Sequence, residues 1–204
     1  MASKEYIDFL ENLIASHRDD QPYFFGIAAG GGVAMTDLLK LPGASKVVKG
    51  IYLPYAVIET SEFIRVHLGQ DQADVFSKKA VTAASAEAMA GAAYTRDLVC
   101  GHSGNVVYAA VTAATTTGRF RKGDNEAFIC VIPSNFVAHL KMTKLDEFIF
   151  RDPVAAWSKL TIREKRTQED ELISKVTLLL AYDPENDFLK ELKTNGSLSI
   201  ISRY

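Results

Sequence analysis

The chain has 204 residues, 48% of them hydrophobic and 24% charged, a balance that suits one α/β domain with a real core. Its formal net charge of −2 argues against a dedicated nucleic-acid binder, which would carry a basic patch or a high pI. Two cysteines, Cys100 and Cys130, do not make a disulfide framework, so reduced thiols and a cytoplasmic setting are expected. The opening residues lack the charged-then-apolar layout of a signal peptide. The longest apolar run, residues 106–114, has strand length and is too short to span a bilayer, so no membrane association is expected.

A first helix is expected over residues 4–17, because Tyr6, Phe9, Leu10, Leu13 and Ile14 recur at helical spacing. Ser3 is its natural N-cap. A short strand over 23–27 runs into a small-residue loop at 28–32, and a second helix opens at Val33. The order strand, glycine loop, helix matters chemically, since amides at a helix N-terminus attract anions. Pro42 and Gly43 end that helix. A strand follows over 47–55, then helices over 59–68 and 73–78.

Thr82 caps a helix from Ala83 to about Tyr94 that is rich in alanine, which lets it lie close against a sheet. Residues 106–112 form the clearest strand, 115–125 a polar loop, and 127–132 and 136–142 two more strands across a Pro133-Ser134-Asn135 turn. Residues 146–162, with the single Trp157, look like an insertion. A final amphipathic helix is expected over 167–182, with Thr167 and Asp170 suiting a capping box. The tail from Asp183 is a short helix or a strand. Helices alternating with short apolar strands, without repeats, give one α/β layered domain over 1–204.

Three stretches, read in order, resemble the C-terminal domain of the CinA (competence/damage-inducible) family. The first is Gly30-Gly31-Gly32, a short helix, then Pro42-Gly43-Ala44-Ser45; the family shows Glu-Ser-Cys-Thr-Gly-Gly, a short helix and Pro-Gly-Ala-Ser. The second is Lys49-Gly50 to Tyr55, where the family has a glycine-containing strand ending in tyrosine. The third is Ala80-Val81-Thr82 through Ala88-Met89-Ala90, similar to the family's Ala-Val-Ser and Met-Ala segment. The resemblance implies an α/β/α sandwich and nicotinamide-nucleotide amidohydrolase activity, in which nicotinamide mononucleotide becomes nicotinic acid mononucleotide and ammonia. In that family a loop serine is the nucleophile, and a tyrosine and a following lysine help to activate it.

This sequence departs from that pattern. The nucleophile position falls on Ala28, which has no heteroatom. The tyrosine is kept as Tyr55. The lysine is absent, since no Lys lies between Lys49 and Lys78; Thr60 or Ile64 takes its place. The family's Gly-Ile-Ala-Gly-Pro loop reads Ala113-Ala114-Thr115-Thr116-Thr117. The favoured expectation is therefore a degraded amidohydrolase site, a pseudoenzyme that keeps a nucleotide-sized pocket or serves as an interaction module, with Gly30, Gly31, Gly32, Thr115, Thr116 and Thr117 as ligand-binding residues. An active deamidase using Cys100 or a Thr115–Thr117 hydroxyl is the alternative. A structural subunit of a homo-oligomer, with residues 146–162 as its interface, is the third, and a homo-oligomer is expected in any case.

The remaining chemistry-bearing residues read as bland. Cys100 and His102 are two apart, beside a glycine-rich loop. The four histidines and two cysteines show no metal-ligand spacing, so neither metal nor cofactor is expected. Glu169, Asp170 and Glu171 are read as a solvated helix face. The run Arg163-Glu164-Lys165-Arg166 is equally a surface run and, as the resemblance implies, a place before the last helix where an arginine meets a phosphate.

Overall fold

The computed structural model describes residues 2–102, 104–117, 124–133, 136–142 and 159–202. Most of the expected insertion and part of the loop before Asp124 lie outside the described residues.

Helix α1 (Lys4–Ser16) is capped by Ser3, whose hydroxyl accepts from the Tyr6 amide, and it buries Tyr6 and Leu10. Strand β1 (Tyr23–Ala29) follows, then a 3-10 helix (Val33–Lys40), β2 (Val48–Tyr52), α2 (Val57–Leu68), α3 (Gln70–Lys78) and α4 (Ala83–Val99). Next come β3 (Val106–Ala114), β4 (Glu126–Ile132) and β5 (Phe136–Lys141), then α5 (Ile162–Tyr182), α6 (Asp187–Thr194) and β6 (Leu198–Ser202). The six strands make one mixed sheet in the order β2-β1-β3-β4-β5-β6. β1 pairs in parallel with both β2 and β3, and the later pairs are antiparallel.

Helices cover both faces. Phe24, Ala28, Val107, Val111 and Ile129 face α1, the 3-10 helix, α5 and α6. Phe25, Ile27, Tyr108, Ala110 and Cys130 face α2, α3 and α4. Adjacent strand residues point to opposite faces, so the continuous apolar runs of β1 and β3 are what two covered faces demand. Ala86, Ala88, Ala90, Ala92 and Ala93 of α4 are buried against this second face, as their size suggested.

Three elements differ from the sequence expectation. The segment after the glycine loop is a 3-10 helix. Its buried residues, Met35 and Leu38, are three apart, and a three-residue turn puts them directly above one another facing the core. The long helix starts at Ile162, five residues before Thr167. The capping box belongs to Thr161 and Glu164, whose side chains satisfy each other's backbone amides. The tail makes both a helix, α6, and the edge strand β6.

The topology prepares a crevice. The chain leaves β1 over one face, through the 3-10 helix, to reach β2 on one side. It returns to β3, on the other side of β1, through α2 to α4 on the opposite face. The connections diverge between β1 and β3, and open α/β sheets bind ligands at the carboxyl ends of strands at such a switch point.

Candidate anion-binding cleft

A cleft of about 230 Å³ sits at this point. It is lined by Gly30 at the end of β1, Thr115 at the end of β3, Tyr55 before α2, and Arg163, Arg166, Thr167 and Asp170 from α5. The four α5 residues are at spacings of three, one and three, which a helix brings onto one face. Starting α5 at Ile162 is what carries both arginines over the crevice.

The glycine loop is shaped by close backbone approach. Gly30 has φ 93° and faces the Ala113 carbonyl oxygen, where any Cβ would collide with it. Gly32 is also left-handed and precedes the 3-10 helix. The amides that follow do not wait for an external anion. The Asp170 carboxylate accepts from Val33 N at 3.0 Å and from Ala34 N at 2.7 Å. The chain supplies its own anion to the position where sequence reasoning expected a ligand's phosphate. Burial pushes the Asp170 carboxyl above the usual carboxylate range, and the Val33, Ala34 and Gly32 amides and Arg166 offset only part of that.

The acidic triplet on α5 is therefore not a solvated face. Three consecutive helical residues spread over about 200° of the helix, and each carboxylate holds a different partner. Glu169 accepts from Thr116 N (2.7 Å), Thr116 Oγ1 (2.8 Å) and Asn125 Nδ2 (2.6 Å). Glu171 accepts from Ser3 N (2.6 Å) and Ser3 Oγ (2.7 Å). Through Glu169, Asp170 and Glu171, α5 anchors the loop after β3, the loop after β1 and the start of α1.

Both arginines are exposed, and neither makes an ion pair with a carboxylate among the described residues. Arg166 Nη2 donates to the Tyr55 hydroxyl at 3.3 Å. They stand in the first two turns of α5, where the helix dipole is positive. Two guanidiniums beside a positive helix end form a field that attracts an anion and disfavours a cation.

A comparison with solved structures finds likeness over nearly the whole chain. The competence/damage-inducible protein CihA from Agrobacterium tumefaciens superposes with a TM-score of 0.59 at 17% identity, over 88% of this chain and 98% of that one. The fold is that of the CinA superfamily. A CinA-superfamily protein from Escherichia coli (TM-score 0.53, 15% identity, 85% and 86% of the two chains) has the same fold. So does the competence or damage-inducible protein from Enterobacter asburiae (TM-score 0.56, 10% identity, 86% and 97%). No family model matches the sequence, and no curated protein matches it.

Within this CinA fold the expected catalytic positions differ in burial and in the face of the sheet they pack on. Ala28 is 2% exposed in the core facing α5. Ile64 is fully buried on the other face, against α4. Thr60 is 1% exposed and its hydroxyl donates to the Pro54 carbonyl at 2.8 Å. Tyr55 is 73% exposed at the rim of the cleft.

The ligand-binding set divides in a similar way. Gly30 and Thr115 line the cleft. Gly31 packs on Ala113, Ile173 and Thr115, Gly32 packs on Ile173 and Val111, and Thr116 is engaged by Glu169. Cys100 lies in the connection that enters β3, a strand's length of about 26 Å from the cleft at its far end. Among the described residues no group of His, Cys, Asp and Glu could hold a metal ion. No helix among them is long and apolar enough to cross a membrane.

Sequence reasoning named Arg163 and Arg166 only as half of an even choice, and it missed the roles of Glu169 and Asp170. The signal for the acids was present in the sequence. Three adjacent carboxylates cannot share one face of a helix whose neighbours Leu172, Ile173 and Val176 are core residues.

Proposed function

We propose that this CinA-fold protein binds a small phosphate-bearing ligand, of the nucleotide class, in the cleft between β1 and β3, and does not carry out serine-type amidohydrolysis. The observation that carries this reading is the convergence of Arg163 and Arg166 with Gly30, Thr115 and Tyr55 at the switch point. Arginine forks match phosphate oxygens, and the dipole of α5 adds to them. The cleft is smaller than the roughly 300–1,000 Å³ of sites that enclose a drug-sized ligand. It holds the phosphate end, and the rest of a nucleotide lies over the exposed Tyr55.

Chemistry at the family's nucleophile position has no support from the side chains around it. Ala28 offers no oxygen, and no lysine replaces Thr60 or Ile64. A serine at position 28 would point into the core facing α5, where Ala28 now packs. Incubation with nicotinamide mononucleotide is expected to release ammonia only at the background rate. Turnover on the order of 1 s⁻¹, a usual enzyme rate, would overturn this reading and move attention to the Thr115 hydroxyl.

A further inference from the structure

Asp170 lies in the same cleft as the arginines, and its position has consequences for any ligand there. Its two oxygens are bonded to Val33 N and Ala34 N, so a ligand's anion cannot take those amides without displacing it. Its negative charge also stands on the same face of α5 as Arg163 and Arg166. The other titratable groups nearby are Tyr55 at the rim, Asp37 on the 3-10 helix and Tyr6 of α1. Glu169 and Glu171, its neighbours on α5, are turned to Thr116 and Ser3.

We propose that Asp170 is the specificity-determining residue of the cleft, holding an incoming anion out at the arginine pair and away from the glycine-loop amides. This rests on the anion-binding reading of the cleft. The anion is met by two positive charges and one negative charge, and neutralising Asp170 strengthens binding. Asp170→Asn removes the charge and keeps one oxygen that can still accept from the loop. One of the two amides then becomes available to a ligand.

The direction with pH follows from the same geometry. The carboxyl is raised by burial, so it takes up a proton at a higher pH than an ordinary aspartate. The neutral form repels an anion less, so affinity rises as pH falls through that raised pKa. Sulfate is the suitable probe, because its own charge is constant over this range.

The experiment is a sulfate titration of the wild-type protein, Asp170→Asn, and Arg163→Ala/Arg166→Ala, followed by the amide resonances of Val33 and Ala34 and by calorimetry. Asp170→Asn is expected to bind sulfate about tenfold more tightly, the effect of one unit charge several ångströms away in a partly exposed site. Its Val33 or Ala34 amide is expected to shift, and neither to shift in the wild-type protein at neutral pH. If the variant folds and binds no more tightly than wild type, or if neither binds, the proposal is overturned.

Should Asp170→Asn fail to fold, the wild-type titration from neutral pH down to about pH 4, the ordinary aspartate value that the raised pKa lies above, decides. Tightening on acidification supports the proposal, and a flat profile overturns it. Loss of binding in the double arginine variant tests the underlying reading separately. If sulfate binds equally well without the arginines, the anion-binding reading fails, whatever Asp170 does.

Discussion

Replacing Asp97 with alanine is expected to destabilise the protein by about 3 kcal/mol. Asp97 is 1% exposed near the end of α4. Its carboxylate accepts from Lys49 Nζ of β2 at 2.7 Å, from Arg96 Nη2 at 2.9 Å and from the Tyr108 hydroxyl of β3 at 2.8 Å. Alanine leaves the Tyr108 hydroxyl without its acceptor and two cations without their counter-charge. Lys49 and Arg96 are still partly exposed and turn toward water, which places the loss at the lower end for a broken buried pair. At this chain length the melting temperature should fall by about 6–12 °C.

The same group gives stability a dependence on pH. Burial acts to raise the Asp97 pKa, and the bonds from Lys49, Arg96 and Tyr108 outweigh it, so the carboxyl is held below its ordinary value. A lowered folded pKa contributes stability that is present above the unfolded value and is lost as pH falls through the folded one. The stability gap between wild type and Asp97→Asn should be constant from neutral pH down to about pH 4, then narrow in stronger acid. Urea denaturation at a series of pH values reads this directly. A gap unchanged into strong acid would show that the Asp97 charge contributes nothing.

Gly30→Ala should cost at least about 3 kcal/mol. Gly30 adopts φ 93°, a left-handed conformation that costs an L-residue roughly 1–2 kcal/mol. Its new Cβ would also collide with the Ala113 carbonyl oxygen. That oxygen belongs to β3, which is paired on one side to β1 and on the other to β4, so it cannot retreat without opening the sheet. Denaturation should show the loss as a lower midpoint with an unchanged slope. A change under about 1 kcal/mol would mean that the loop relaxes freely, contrary to the packing described for it.

Gly31 follows the same logic less severely. A Cβ there would stand 2.8 Å from Ala113 Cβ and 3.0 Å from Ile173 Cδ1. Enlarging Gly31 therefore disturbs packing before it touches a ligand, and it is a poor probe of binding.

The architecture was legible because its signals are local. Apolar runs of strand length located β1, β3 and β4, the helical period located α1, and the Thr82 cap with its alanine-rich run located α4, and the order of glycine loop, Pro42-Gly43 and Ala80-Val81-Thr82 pointed to the CinA fold that the structure has. What was not legible depends on contacts distant in sequence. Asp170 reaches Val33 across 137 residues, and Glu169 reaches Thr116 across 53. Nothing near either acid announces its partner.

The start of α5 was misplaced because Thr167-x-x-Asp170 resembles a cap, while Thr161-x-x-Glu164 is the pair that forms one. That shift hid the arginine face, since residues 163 and 166 became helical only when the helix began at 162. Tyr55, named from the resemblance, stands at the rim of the cleft. Its neighbours in the family pattern, at 28 and at 60 or 64, fall on buried positions, whereas Tyr55 is exposed.

The most direct test of the anion-binding cleft is a calorimetric titration with nicotinamide mononucleotide, comparing wild type with Arg163→Ala/Arg166→Ala. Both arginines are exposed, so the double variant should fold with nearly unchanged stability. Saturable one-site binding to the wild-type protein is expected, weakened at least about tenfold in the double variant, the loss of roughly 1.4 kcal/mol or more from two charge-assisted contacts. Binding of equal strength in both proteins, or no binding to the wild-type protein, would contradict the account.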